Sequence, residues 1–177
     1  MPTYIAFLRG INVGGQKKFP KADQMGLLKD LGFGNPRVYL HTGNWIFDTA
    51  EGCSKAETRI ANSILKQYGW ELPIVVKTAP ELLSILEGCP FPEGVKEQSY
   101  FTLLHHPPSP EHTALVEAIT FPKEEAHITS ACVYFYAEKG YGDAKMNNNW
   151  LESKLKVTAT TRNYNTMLKV LALAQNP

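Results

Sequence analysis

The segment Tyr4–Lys18, YIAFLRGINVGGQKK, decides how the first part of this chain is expected to fold. Its first five residues are apolar, which predicts a strand that ends at Leu8. Three glycines follow within six positions, and they are typical of a loop whose backbone adopts positive φ angles. Arg9, Asn12 and two lysines lie in this loop, and no acidic residue occurs before Asp23. The segment therefore predicts a strand followed by a basic, glycine-rich loop.

The same kind of pattern predicts the elements that follow. From residue 3 to residue 77 the expected order is β-α-β-β-α-β, with a tight Thr42-Gly43 connection between the second and third strands. Residues 99 to about 159 repeat this order, with the corresponding turn near Ser130-Ala131. Predicted helices cover residues 20–31, 54–68, 79–87, 109–119, 147–155 and 163–174, and predicted strands are Thr3–Leu8, Arg37–His41, Asn44–Asp48, Glu71–Lys77, Ser99–Leu104, Glu125–Thr129, Cys132–Ala137 and Lys156–Ala159.

Helix starts and stops are marked by characteristic residues. Ser54 with Glu57, and Thr78 with Glu81, have the spacing of capping boxes. Ser109 precedes a proline, which is a typical first-turn residue. The expected helix stops are Gly32, Gly69 and Gly88.

The repeated element order predicts an α+β protein, namely a duplicated ferredoxin-like α-β plait made of two split βαβ units with a C-terminal helix. The first plait is expected at 1–78, a linker helix and loop at 79–98, and the second plait with the C-terminal helix at 99–177. In such a unit, the end of the first strand and the turn after the second strand share one sheet edge. We therefore expect Arg9–Lys18 to lie beside Thr42–Asn44, with the N-terminus of the 20–31 helix pointing there too.

Composition limits the class of protein. The 177 residues include 18 Lys+Arg and 17 Asp+Glu, a net charge of +1, which argues against a chain that binds long nucleic acids mainly by neutralising phosphates. Cys53, Cys89 and Cys132 are odd in number and widely spaced, as expected for a reduced cytoplasmic protein without a metal site. No signal peptide, membrane span or cofactor is predicted.

The loop after the first strand is the first candidate binding segment. Residues 10–17 approach a P-loop, but Gln16 stands where the phosphate-binding lysine belongs, so nucleotide triphosphate hydrolysis is rejected. Two interpretations remain open: an anion-binding loop or a plain surface connection. The candidate ligand-binding residues here are Arg9, Gly10, Asn12, Gly14 and Gly15, together with Thr42, Gly43 and Asn44 of the turn.

The segment Thr160–Thr166, TTRNYNT, is the second candidate. Thr160, Thr161 or Asn163 is suited to cap the following helix. Capping does not explain Arg162, because a cation at a helix N-terminus opposes the helix dipole. The candidate ligand-binding residues here are Thr161, Arg162 and Asn163, and the two arginine-bearing segments are expected to face one pocket.

A third motif, Lys139-Gly140-Tyr141-Gly142, opens like an RNA-binding segment but continues with Asp143 instead of an aromatic residue. We interpret it as a glycine-rich loop after a strand.

With these residues in view, the chain resembles the bacterial domain-of-unknown-function 1697 family. The resemblance spans nearly the whole length and rests on LRGINVGG at 8–15, on Gly43-Asn44 with the strand after it, and on ATTRNYNT at 159–166. It implies a duplicated α-β plait, and it implies no activity.

The main functional hypothesis is a binding protein or enzyme for a small phosphate- or carboxylate-bearing ligand. Neither motif contains an evident catalytic base, and His41 is the only side chain at the turn that titrates near neutrality. One alternative is a nucleic-acid-binding sheet displaying Tyr39, Trp45 and Phe47. Another is an interaction scaffold in which Arg162 pairs with an acidic residue of the first half.

Overall fold

In the computed structural model, which describes residues 1–176, the chain forms two compact units. Unit 1 comprises Met1–Leu83 and the segment from Lys169 onward, and unit 2 comprises Ser84–Leu168. Each unit contains one four-stranded antiparallel sheet, and the described part of the chain holds seven helices, so this is a mixed α+β protein. The elements are β1 (Thr3–Leu8), α1 (Lys21–Asp30), β2 (Gly34–Tyr39), β3 (Asn44–Asp48), α2 (Cys53–Tyr68), β4 (Ile74–Thr78), α3 (Ala79–Glu87), α4 (Glu93–Lys96), β5 (Tyr100–Leu104), α5 (Pro110–Glu117), β6 (Glu124–Ile128), β7 (Cys132–Ala137), α6 (Asn148–Leu155), β8 (Ala159–Asn163) and α7 (Tyr164–Gln175).

The sheet of unit 1 has the strand order β2-β3-β1-β4. Ala6 of β1 lies opposite Trp45 of β3 on one side and Val76 of β4 on the other. These three residues face the core, where they cluster with Leu27 of α1 and Ile60 of α2. Trp45 has no solvent exposure, so the sheet and the two helices enclose it completely.

The sheet of unit 2 has the corresponding order β6-β7-β5-β8. Leu104 of β5 and Val133 of β7 pack against Leu151 and Leu155 of α6. Phe135, farther along β7, anchors a neighbouring cluster next to the segment that precedes α6. Helices α5 and α6 therefore cover one face of this sheet.

The clearest difference from the predicted elements concerns the last strand. Lys156–Ala159 was expected to be extended, but β8 begins at Ala159 and continues to Asn163. Lys156 ends α6 in the left-handed conformation, with a φ of +56°, so the chain first has to leave the helix. The pairing of Ala159 with Leu104 then starts the strand. The short helix α4, which follows Pro92, was not predicted.

The predicted helix caps are confirmed in part. The Thr78 N–H donates to the Glu81 carboxylate at 2.7 Å, and the Glu81 N–H donates to the Thr78 hydroxyl at 3.3 Å, as a capping box requires. Ser109 accepts from the His112 N–H at 3.2 Å. The prediction for Ser54 is wrong, because α2 begins one residue earlier, at Cys53, and has no side-chain cap. None of the helices in residues 1–176 is long and apolar enough to cross a membrane.

Candidate functional site

The residues after β1 form a small β-hairpin. The Asn12 N–H donates to the Lys17 carbonyl at 3.1 Å, and the Gln16 N–H donates to the Val13 carbonyl at 3.1 Å. The two glycines between Val13 and Gln16 have φ angles of +59° and +74°, and two successive positive angles are the mark of a type I′ turn. Turn formation therefore accounts for both glycines, which the sequence had assigned to ligand binding.

The side-chain amide of Asn12 fixes this hairpin in place. Its Nδ2 donates to the Phe19 carbonyl at 2.8 Å and to the His41 carbonyl at 2.5 Å. Its Oδ1 accepts from the Phe19 N–H at 2.8 Å. Both amide hydrogens are used within the fold, so Asn12 positions the loop and has no hydrogen left to donate to a ligand.

A second amide, that of Gln24 in α1, completes the same network. It is fully buried, and its Nε2 donates to the carbonyls of Phe19 at 2.8 Å and His41 at 2.9 Å. Its Oε1 accepts from the Trp45 indole N–H at 2.7 Å. Gln24 was not predicted as part of the site, although its i, i+3, i+4 spacing with Leu27 and Leu28 places it on the buried face of α1.

The turn between β2 and β3 lies directly against the end of β1. The Leu8 N–H donates to the Gly43 carbonyl at 2.8 Å. Gly43 has a φ of +85°, and a Cβ added there would lie 2.7 Å from the Leu8 Cβ and 3.1 Å from the Ile11 Cδ1. Only glycine satisfies both the backbone angle and the close approach. The structure thus brings the Arg9 loop and the Thr42–Asn44 turn together, at the sheet edge expected from the strand order.

The polar side chains of this turn serve it internally. Asn44 is fully buried, and its Nδ2 donates to the Tyr39 carbonyl at 3.0 Å and to the Thr42 hydroxyl at 3.3 Å. The Asn44 amide therefore stabilises the turn through hydrogen bonds to residues within it and next to it.

The Arg9 loop and the turn after β2 form a basic surface, and exposed apolar side chains lie next to it. Arg9 and Lys17 are half-buried, and Lys18 and His41 are exposed. The Arg9 backbone N–H donates to the Pro73 carbonyl at 3.0 Å, which ties the start of the loop to the residue just before β4. The nearby apolar side chains Val13 and Leu40 are 63% and 45% exposed.

In unit 2, the segment that carries Arg162 is a strand and not a loop. Side chains alternate along β8, so Thr160 and Arg162 lie on one face of the sheet and Thr161 lies on the other. The Thr161 hydroxyl donates to the Asn148 Oδ1 at 2.8 Å and lies 2.9 Å from the Thr102 hydroxyl. Thr161 therefore does not share a face with Arg162, contrary to its assignment to the same ligand site.

Arg162 lies beside Phe101 in the sheet register. Its Nη1 donates to the Thr160 hydroxyl at 2.8 Å and to the Thr161 carbonyl at 2.9 Å. The residue as a whole is half-buried, and burial of its guanidinium lowers the pKa of Arg162 to about 10. Arg162 remains protonated at neutral pH, so unit 2 holds a desolvated positive charge at this point.

Asn163 caps α7, because its Oδ1 accepts from the Thr166 N–H at 2.8 Å. This confirms the capping role for Asn163. Thr160 and Thr161 lie within β8 and do not cap the helix. The shared pocket expected for the Arg9 loop and the Arg162 segment involves both units and stays a prediction.

Two of the three aromatic residues suggested for a nucleic-acid-binding sheet are not available for stacking with bases. Trp45 and Phe47 are fully buried in the core of unit 1, where the Phe47 ring stacks on the Phe33 ring with centroids 4.3 Å apart. Tyr39 is half-buried. Base stacking requires exposed rings, so this cluster does not support the alternative.

These features define a two-unit α+β protein with a polar loop held by side-chain amides. The model of a protein family of unknown function, DUF1697, matches residues 1–134, and the chain belongs to this family. A conserved bacterial protein, SP0830 from Streptococcus pneumoniae, has a similar solved structure, with a TM-score of 0.77, 19% sequence identity and 98% coverage of both chains. At this identity the likeness shows the fold alone. No curated protein matches the chain.

Proposed function

We propose that this protein binds a small anionic ligand, one that bears a phosphate or a carboxylate, through the Arg9 loop and the Thr42–Asn44 turn. The segment Thr160–Thr166 belongs to the proposal through Arg162. The supporting observation is the amide network of half-buried Asn12 and fully buried Gln24, which holds a basic hairpin in one position. A plain surface connection does not need a fully buried glutamine to fix it.

The proposal divides the candidate residues by role. Arg9, Lys17 and Lys18 supply the positive charge, and the Thr42 hydroxyl supplies a polar contact. Asn12 and Asn44 position the backbone, because their amide hydrogens already bond within the fold. Further support comes from α1, the helix that follows the loop. The first turn of α1 has no side-chain cap, and its N–H groups favour a negative charge.

Arg162 enters the proposal as a protonated guanidinium, which forms charge-assisted hydrogen bonds with phosphates and carboxylates. The appropriate first probes are inorganic phosphate, sulfate and nucleoside monophosphates. All three carry a tetrahedral anionic group, and only the nucleoside monophosphates add a sugar and a base.

Isothermal titration calorimetry with these probes tests the proposal. We expect Arg9→Ala and Lys18→Ala each to weaken binding about tenfold, the effect of losing roughly 1.4 kcal/mol of charge-assisted contact. The matched control is Lys29→Ala, which removes an exposed lysine in the last turn of α1. Equal weakening by Lys29→Ala, or no binding of any probe to the natural protein, contradicts the proposal.

Arg162→Ala separates ligand binding from a scaffold role. If Arg162 contacts the ligand, the substitution weakens phosphate binding at least tenfold while the melting temperature changes little. A lowered melting temperature with unchanged affinity assigns Arg162 to the fold instead.

We also propose that each unit is a ferredoxin-like plait and that the chain is an internal duplication. Both sheets place the second strand at one edge, followed by the third, the first and the fourth. In both units a helix follows the first strand and another follows the third. A cytoplasmic location is proposed with this fold, supported by three cysteines that are free thiols.

A further inference from the structure

Unit 2 contains a cavity of about 510 Å³, a volume within the usual range for small-molecule sites. It lies where the chain before β6 meets the loop after β7. We propose that this cavity binds a small organic anion with a flat apolar body, at a site separate from the Arg9 loop.

The walls of the cavity are held in place by hydrogen bonds. The Glu124 carboxylate accepts from the Lys145 N–H at 2.7 Å and from the Met146 N–H at 2.9 Å, which fixes the far end of the loop. The Asn148 N–H donates to the Tyr141 hydroxyl at 2.8 Å, which fixes its middle. A loop that is already ordered loses little entropy when a ligand binds.

The interior of the cavity is mostly apolar and built from small and flat side chains. Phe121 lines it and packs edge-on against Trp150, with ring centroids 5.6 Å apart. Ala137 and Ala144 are buried, and their single methyl groups leave the space that a larger side chain would fill. An aromatic or similarly flat ligand body suits such walls.

Two lysines at the rim can contact an anion. Lys123 forms an ion pair with Glu138 at 3.1 Å, whereas Lys139 and Lys145 are exposed and form no ion pair with any residue from 1 to 176. Of the two lining carboxylates, Glu124 already accepts two backbone hydrogen bonds. The other, Asp143, is a single exposed countercharge to the two lysines. Two ammonium groups at the mouth of an apolar cavity suit a sulfonate, carboxylate or phosphate on a flat body.

The lining also gives a role to the motif Lys139-Gly140-Tyr141-Gly142, which the sequence suggested was only a loop. Gly140 has a φ of +85°, and its N–H donates to the Ala137 carbonyl at 3.0 Å. This tight turn directs the chain from the end of β7 over the cavity. The space above Gly140 is open, so the turn does not obstruct the mouth.

Binding of 8-anilinonaphthalene-1-sulfonate tests the proposal, because this probe combines a flat apolar body with one negative charge. Its neutral analogue, N-phenyl-1-naphthylamine, lacks the sulfonate and is measured in parallel. We expect both probes to shift the backbone amide resonances of Gly140, Gly142 and Lys145 in two-dimensional NMR spectra. We expect the double variant Lys139→Glu/Lys145→Glu to weaken binding of the sulfonate at least tenfold and binding of the neutral probe less than twofold.

A control variant keeps the result specific. Lys154→Glu reverses an exposed lysine in α6 of the same unit and is expected to leave the affinity within twofold. Shifts confined to other amides, a double variant that binds the sulfonate normally, or equal weakening by Lys154→Glu would each overturn the assignment.

Discussion

Asn12, Lys17 and Leu40 have φ angles of +55°, +46° and +58°, and all three lie in or next to the two segments of the candidate site. Residues other than glycine adopt such angles at a cost of about 1 kcal/mol or more each. Asn12 is held there by three side-chain hydrogen bonds, whereas Leu40 is 45% exposed and gains little from burial. Local strain and exposed apolar surface therefore coincide with the basic loop, as is typical of functional segments.

Gly43→Ala is expected to destabilise the protein by about 3 kcal/mol, because the new methyl group both strains the backbone and meets the Leu8 Cβ at 2.7 Å. Chemical denaturation measures the loss. Gly14→Ala is the matched control, since Gly14 also has a positive φ but open space around it. That variant is expected to lose only about 1 kcal/mol. Similar losses of unfolding free energy in the two variants would show that the close contact between residue 43 and Leu8 does not affect stability.

At the scale of elements, β8 shows how one strand separates residues that are adjacent in sequence. The Thr161 hydroxyl bonds to Asn148 of α6, whereas Thr160 and Arg162 interact with each other on the opposite face. The period of two in a strand makes this separation unavoidable. The sequence predicted a helix-capping loop here and assigned Thr161 and Arg162 to one ligand site. In the strand, these two side chains lie on opposite faces, so a single ligand cannot contact both from one face.

Helix capping gives a direct comparison between two sequence signals of equal strength. Thr78→Ala removes a cap hydrogen bond that α3 uses, so a loss of about 1 kcal/mol in unfolding free energy is expected. Ser54→Ala changes a residue already inside α2, where no cap hydrogen bond exists, and is expected to stay within about 0.5 kcal/mol of the natural protein. Thermal or urea denaturation distinguishes the two. A larger loss for Ser54→Ala would place the start of α2 at Ser54 after all.

At the scale of the whole molecule, the chain returns to unit 1 at its C-terminus. The boundary between the compact units falls within α7, and the residues from Lys169 onward belong to unit 1. Arg37 of β2 donates to the Leu173 carbonyl through its Nη1, near the end of α7, where a cation is favourable. Val170 in this segment is fully buried. Unit 1 is therefore built from two segments that lie far apart in the sequence.

A chain that ends at Leu168 is expected to lose about 4 kcal/mol of stability in unit 1, because it lacks the buried Val170 and Leu171 and the acceptor for Arg37. The fluorescence of Trp45 and Trp70, both in unit 1, reports this loss during denaturation. A chain that ends at Ala174 is the control, because the described residues that it lacks, Gln175 and Asn176, are both exposed. Equal stability of the two truncated chains would mean that the last turns of α7 contribute nothing to unit 1.

Much of the secondary structure was predictable because its signals are local. The apolar pattern of Thr3–Leu8, the caps at Thr78 and Ser109, and the stop at Gly69 all depend on residues within one turn or one strand. The last strand was placed too early because the left-handed end of α6 at Lys156 has no glycine to mark it. The role of Gln24 depends on Phe19, His41 and Trp45, which lie 5 to 21 positions away.

The sequence by itself determined the order of strands and helices, the basic character of the Arg9 loop and the need for glycine at its turns. These properties follow from backbone sterics and from the periodicity of apolar side chains, which act over a few residues. The tertiary structure alone decided which polar groups remain available to a ligand. Asn12 and Asn44 donate to backbone carbonyls that folding brings close, so the hydrogens they have left for a ligand depend on where the folded chain places those carbonyls.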